Sequence, residues 1–148
     1  MSGLTIQNCI ANNPSHFGHG AGIYGLAASQ VILENLQLRN NIASSSEASA
    51  EGEVKGGGGG IYFTSSQRIR VDNCLFTNNS AATKAGGLGI AQAGTSIEIS
   101  NLIFVLNHAP SGGGLFMGSN AGQILDVVAS NLTFVENNAD TGGAIYVT

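Results

Sequence analysis

Charge is scarce in this sequence: lysine and arginine number 5, aspartate and glutamate 9, so charged residues make up 9% of the chain and the net charge is −4. The five cations, Arg39, Lys55, Arg68, Arg70 and Lys84, form no basic stripe that would neutralise a phosphate backbone, which excludes nucleic acid as a partner. Two isolated cysteines do not make a zinc site, and no metal and no cofactor is expected. No run approaches the roughly 18 consecutive apolar residues of a membrane helix. The N-terminus has neither the charged nor the apolar region of a signal peptide. The expectation is a soluble segment without a membrane span, any export address of its parent lying outside it. At 148 residues a second independent core is not expected, so one repeating unit must account for the whole of 1–148.

What the sequence has instead is glycine, 22 residues of it, together with asparagine at regular intervals. Five copies of one pattern read LTIQNCIANN, VILENLQLRNN, IRVDNCLFTNN, IEISNLIFVLN and VVASNLTFVENN: an apolar alternating strand, Asn, a second apolar strand, then Asn again. The first Asn falls at Asn8, Asn35, Asn73, Asn101 and Asn131, at intervals of 27, 38, 28 and 30 residues. A second marker, three small residues followed by Ile or Leu, places a third strand at Ile23, Ile61, Leu88, Leu115 and Ile145. Two markers in one phase predict an all-β right-handed parallel β-helix of about five coils, three short strands to a coil, stabilised collectively because each coil buries its inner face only against its neighbours. The excess of the 38-residue interval falls in residues 44–58, rich in Ser, Glu and Gly, which read as an inserted surface loop.

Alternation assigns the inner face. The first strand contributes Leu4 and Ile6, Val31 and Leu33, Ile69 and Val71, Ile97 and Ile99, and Val127 and Ala129. The second strand stacks Leu38, Phe76, Phe104 and Phe134, with Ala11 near that place in an irregular first coil. The first asparagine row, and a second at Asn41, Asn79, Asn107 and Asn137, read as structural corner ladders, since Asn tolerates left-handed backbone and its amide bonds to its own kind above and below. Cys9 and Cys74, each directly after a ladder Asn in coils one and three, are expected about 9.6 Å apart from the level spacing. That is beyond the roughly 7 Å limit for a disulfide, which predicts two separate buried thiols.

FTNN, FVLN and FVENN, each followed downstream by AGGL, GGGL or GGAI, resemble the FxxN and GGAI repeats of the chlamydial polymorphic outer-membrane protein family, with a β-helix of the pectin-lyase-like superfamily. The resemblance covers coils three to five; in coil two Leu38 with Asn41 replaces the Phe-Asn pair. It implies an autotransporter passenger: an extracellular or cell-surface adhesin-like module that meets a host surface protein or glycan. Nothing resembles that family's membrane barrel. Neither end shows a polar helix or Pro-rich cap, so self-association through the end coils, even end-to-end stacking into a fibre, is expected.

Two outward rows are candidate sites. Glu34, Asp72, Glu98 and Arg70 should meet on adjacent levels, an acidic cluster of the kind polysaccharide lyases and glycoside hydrolases use, but also ordinary for a sheet surface. Tyr24, Tyr62, Phe116 and Tyr146 follow the third-strand anchors and should point outward, either as a stripe for sugar rings or a lateral contact or as a row covered by the 44–58 loop or another part of the parent. Gly18-His19-Gly20 resembles a polygalacturonase element but sits where the small-residue turn belongs, and His16 and His108 have no partner motif. Asn78 and Asn131 begin glycosylation sequons, with Asn131 expected to point inward. The first reading is therefore a non-catalytic structural or adhesive module with no catalytic residue, and the alternative a lyase or hydrolase fragment.

Overall fold

The computed structural model describes residues 2–12, 18–45, 57–91, 96–119 and 126–148. Among these there is no helix, and every strand pair is parallel. A leading half-level holds β1 (Thr5–Gln7) and β2 (Ile10–Ala11). The first full turn runs through β3 (Ile23–Leu26), β4 (Gln30–Glu34), β5 (Gln37–Arg39) and β6 (Ile42–Ala43). The second has β7 (Ile61–Thr64), β8 (Arg68–Thr77) and β9 (Ser80–Ala81). Then come β10 (Leu88–Ala91) with β11 (Ser96–Val105), β12 (Leu115–Gly118) with β13 (Val127–Val135), and β14 (Ile145–Val147). The largest sheet stacks β1, β5, β8, β11 and β13 with β4 also on β8; a second stacks β3, β7, β10, β12 and β14; a narrow third holds β2, β6 and β9. Five levels make about four turns of a parallel β-solenoid.

Asparagine bends the largest sheet where the sequence places it. Asn35, Asn73, Asn101 and Asn131 have φ between 50 and 56°, a left-handed conformation that Asn adopts more readily than other side chains, and each turns the chain between the first and second strand segments. A second left-handed row, Asn8, Asn40, Asn78, Leu106 and Glu136, turns it toward the narrow sheet. Close approach between levels fixes the glycine triplets: a Cβ at Gly86 would lie 2.4 Å from the carbonyl oxygen of Gly113, and one at Gly113 2.5 Å from that of Asn138.

Inside, like stacks on like. Phe76, Phe104 and Phe134 lie over one another with ring centroids 4.7 and 4.8 Å apart and planes 10° and 3° from parallel. Val31, Ile69, Ile97 and Val127 form the next row, and Leu33, Val71, Ile99 and Ala129 the one after. The second asparagine row is buried among them: Asn41, Asn79 and Asn107 have no exposed surface, and each amide nitrogen bonds to the carboxamide oxygen of the next level at 2.9–3.0 Å and to a backbone carbonyl of the level before.

The first coil departs from the sequence reading. Thr5–Gln7 pairs with Gln37–Arg39, so Asn8 lies against Asn40 rather than Asn35, and its carboxamide oxygen accepts from Asn40 at 3.3 Å. Gly3, at φ 69°, takes the corner that Asn8 was expected to fill. The physical reason is packing. This register sets Ile6 on Leu38 at the base of the phenylalanine row and Ala11 on Ala43 in the alanine row of the narrow sheet. The expected register would have left Ala11 at a phenylalanine position, with a cavity where the ring belongs. Ile6 accordingly belongs to the second strand, not the first, and Leu4, expected on the inner face, precedes β1 and is exposed. The cysteines lose their equivalence too: Cys9 pairs with the Asn41 level, its N–H donating to Asn41 Oδ1 at 3.0 Å, whereas Cys74 is level with Leu102. Both thiols are free; Cys74 is buried and Cys9 partly so.

The expected loop at 44–58 falls largely outside the described residues, as do Asn13, His16 and Lys55. Of its flanks, Ser45, Gly57 and Gly58 are buried, so the coil reaches further into that range than composition suggests. Two substitutions test the stacked interior. Phe104→Ala should cost about 3–5 kcal/mol of unfolding free energy. Asn107→Ala, which strands the Asn79 donors, should cost about 2–4 kcal/mol. Chemical denaturation measures both, and a loss below about 1 kcal/mol for either is incompatible with a packed, self-stacked row.

Candidate functional site

The acidic cluster assembles on the outer face of the largest sheet. Parallel pairing sets Ile32, Arg70, Glu98 and Val128 in one row, and Glu34, Asp72, Ser100 and Ser130 in the row two residues on. Arg70 is the hub. Its Nη1 lies 3.0 Å from Glu34 Oε1, its Nη2 4.0 Å from Asp72 Oδ2 and its Nε 3.8 Å from Glu98 Oε2. The four residues named from the sequence are thus brought together. Two partners were not foreseen: Ser100 Oγ donates to Asp72 Oδ1 at 2.7 Å and Asn101 Nδ2 donates to the same oxygen at 2.8 Å.

Those two hydrogen bonds, Ser100 first and Asn101 second, with a smaller contribution from Arg70, hold the Asp72 carboxyl below the usual carboxylate range. This is the reverse of what a general acid needs, because a carboxyl that protonates a leaving group must have its pKa raised. All three carboxylates face one guanidinium, which matches cross-strand charge pairing on a solvated sheet. Among the described residues no group of three His, Cys, Asp or Glu side chains is arranged to hold a metal ion.

The aromatic row is in register, Tyr24 to Tyr62 to Gly89 to Phe116 to Tyr146, but it is not an exposed stripe. Tyr62 is 6% exposed and Phe116 1%, against 44% for Tyr24, with Tyr146 in between. The small-residue segments that lead into this sheet fold back over it and cover the row. His19 stacks on Tyr62 with centroids 4.7 Å apart and planes 14° from parallel, and it sits 5.5 Å from Tyr24. The Lys84 ammonium lies 4.9 Å over the ring of Phe116, a cation–π contact. A Cβ on Gly57 would fall 2.7 Å from the Tyr62 ring.

His19 is the centre of this cover. Its Nδ1 accepts the Gly57 N–H at 3.2 Å, and burial pushes its pKa down to about 4. The GHG string is therefore a packing element of the turn, with the imidazole neutral and used as a flat ring. No local sequence signal marks His19 as a partner of Tyr62, because the contact joins neighbouring levels. Asn131 and Asn78, the two sequon residues, are both exposed, which corrects the inward expectation for Asn131; its Nδ2 donates to Asn101 Oδ1 at 2.7 Å, and that of Asn78 to Asn40 Oδ1 at 2.9 Å. The first asparagine row is interrupted once, where Asn101 turns to Asp72 instead of Asn73.

The parallel sheets, the left-handed asparagine corners and the stacked phenylalanines together define a β-solenoid whose outer faces carry few charges and expose apolar side chains such as Ile32, Ile103, Val128 and Val135. The chain belongs to the right-handed β-helix family: the model described as a right-handed beta helix region matches residues 1–148. Comparison with curated proteins and with solved structures finds no match.

Two pH responses follow, of which the first is set by His19. Folding holds its pKa below the ordinary value of 6.5, so between pH 6.5 and about 4 the unfolded chain binds more protons and stability falls as pH falls. His19→Phe, which keeps a flat ring, should flatten that limb in melting temperatures measured from pH 7 to 4. The second belongs to Asp72, whose depressed pKa makes its contribution present above the usual carboxylate range and lost as pH drops through its own pKa. Asp72→Asn should remove part of the acid limb below about pH 4, and an unchanged limb would show the Ser100 and Asn101 bonds to be thermodynamically silent.

Proposed function

We propose that this chain is a non-catalytic structural or adhesive β-helix module of an extracellular or cell-surface protein. One observation carries the reading: where ionisable side chains do converge, around Arg70, the carboxylates are engaged by the guanidinium and Asp72 is driven toward its charged form. A lowered pKa is the reverse of what Asp72 would need to protonate a leaving group as the acid of a glycoside hydrolase. Support also comes from the sparsely charged exterior and from the resemblance of the FxxN and GGAI repeats to an autotransporter passenger. A module of this kind presents a sparsely charged surface to a host protein or a glycan. Within the aromatic row the exposed part is at the ends, Tyr24 above all, which narrows a sugar-stacking or lateral contact from four rings to the neighbourhood of Tyr24 and Tyr146.

The convergence of Glu34, Asp72 and Glu98 with Arg70 on adjacent levels favours one alternative, a fragment of a polysaccharide lyase or glycoside hydrolase. A single experiment separates the two. The chain is applied to an array of acidic and neutral glycans, and the glycans it binds are then incubated with it and assayed for unsaturated or reducing ends. Binding without product is the expected result; product that disappears in Arg70→Leu and Asp72→Asn would overturn the proposal in favour of the enzyme.

A further inference from the structure

Ahead of its asparagine corner, the outer face of β4, β8, β11 and β13 is its own complement when the order of levels is reversed. The central row runs Ile32, Arg70, Glu98, Val128 from level to level: apolar, cation, anion, apolar. The row beside it runs Glu34, Asp72, Ser100, Ser130, two acids followed by two hydroxyls. Reversal sets Arg70 against Glu98, Ile32 against Val128, Asp72 against Ser100 and Glu34 against Ser130. The turning point lies between β8 and β11, in the interior of the solenoid.

We infer that this face is a homodimer interface, against which a second copy of the chain lies with its solenoid axis reversed, about a two-fold axis running along the strands between Arg70 and Glu98. Such an interface is isologous, so each contact occurs twice. Arg70 and Glu98 of the two copies then alternate in a ring of four charges, and Ile32 and Val128, 43% and 61% exposed, cover one another on either side of it.

Three features of the single chain prepare that contact. Glu98 is loosely held, its carboxylate 3.8 Å from Arg70 Nε and its side chain 56% exposed. Arg68 is exposed and makes no ion pair among the described residues. Between Ile32, Arg68 and Arg70 the face has a depression of about 170 Å³, and the reversed copy brings its Glu98 over it, toward both guanidiniums.

The other face-to-face arrangement fails. A two-fold axis along the solenoid keeps the levels in order: centred on the row, it sets Arg70 on Arg70 and Glu98 on Glu98, and displaced by one row it sets Ile32 on Glu34 and Val128 on Ser130. Area limits the strength. Strands about 4.8 Å apart and residues about 3.3 Å apart give this face a footprint of roughly 300 Å², well under the roughly 800 Å² that each partner of a standard stable complex contributes. The acids Glu34, Asp72 and Glu98 also outnumber Arg68 and Arg70. The dimer is accordingly weak, with a dissociation constant of about 0.1 mM.

Sedimentation equilibrium at concentrations up to about 1 mM tests this. Wild type is expected to dimerise. Val128→Lys, which lays an ammonium on Ile32 of the second copy, should weaken the dimer at least tenfold, whereas Leu26→Lys, at a 62% exposed position on another sheet, should leave it unchanged. Glu98→Lys and Arg70→Glu should each stay monomeric, because each sets like charges across the axis, yet an equimolar mixture of the two should associate about as tightly as wild type. A strictly monomeric wild type overturns the inference, and if that monomer binds an acidic glycan through Arg68 the face belongs to the glycan instead. Equal association of Val128→Lys and Leu26→Lys overturns it as well, as does a mixture of two folded charge variants that associates no more than its components. Should Arg70→Glu fail to fold, the comparison of Val128→Lys with Leu26→Lys decides alone.

Discussion

Parallel backbone pairing between successive levels is the constraint on which the rest of this structure depends. It holds every residue about 4.8 Å from the residue at the same place one turn away, so each side chain's principal neighbour is its own counterpart. A row survives only if its members tolerate repetition. Phenylalanine does, by offset or parallel stacking of rings; asparagine does, because it carries both a donor and an acceptor; glycine does, by leaving room for a carbonyl. Charge does not, since like carboxylates at this spacing repel.

That last point connects a compositional fact to the one charged cluster. The 9% of charged residues is what a stacked architecture permits, and where acids do fall on neighbouring levels a cation sits among them. Glu34 and Asp72 are directly paired across levels, and Arg70 lies within 4.0 Å of both. The same logic accounts for Asn101 leaving its ladder. A carboxylate one row away is a stronger acceptor than a carboxamide, so the Nδ2 hydrogen goes to Asp72 and the corner row is broken at that step.

Fold class, coil phase and most inner rows were legible in the sequence because repetition states them five times over. The phenylalanine row, the two asparagine rows above coil one and the charged quartet all fell where alternation and spacing set them. The first coil was misread because its short copy fits two registers by pattern alone, and the choice between them is made by volume: Ile6 fills the base of the phenylalanine row and Ala11 does not. For the aromatic row the sequence left exposure and burial both open, for a different reason. Alternation correctly turns Tyr62 and Phe116 away from the interior, but it says nothing about what lies beyond a sheet's outer face. His19 and Lys84 cover those rings from segments that carry no periodicity. Contacts that join one level's turn to the next level's strand leave no mark in any single stretch of sequence.

The interval between paired residues varies from 27 to 38 from level to level, yet the rows remain aligned. Vertical geometry is therefore indifferent to the contour length of each loop of chain, because rung height is set by the strands alone. Extra residues can be accommodated sideways at a corner without displacing anything above or below. Such corners are sites where new peptide can be grafted at small structural cost, leaving the stacked axis in place.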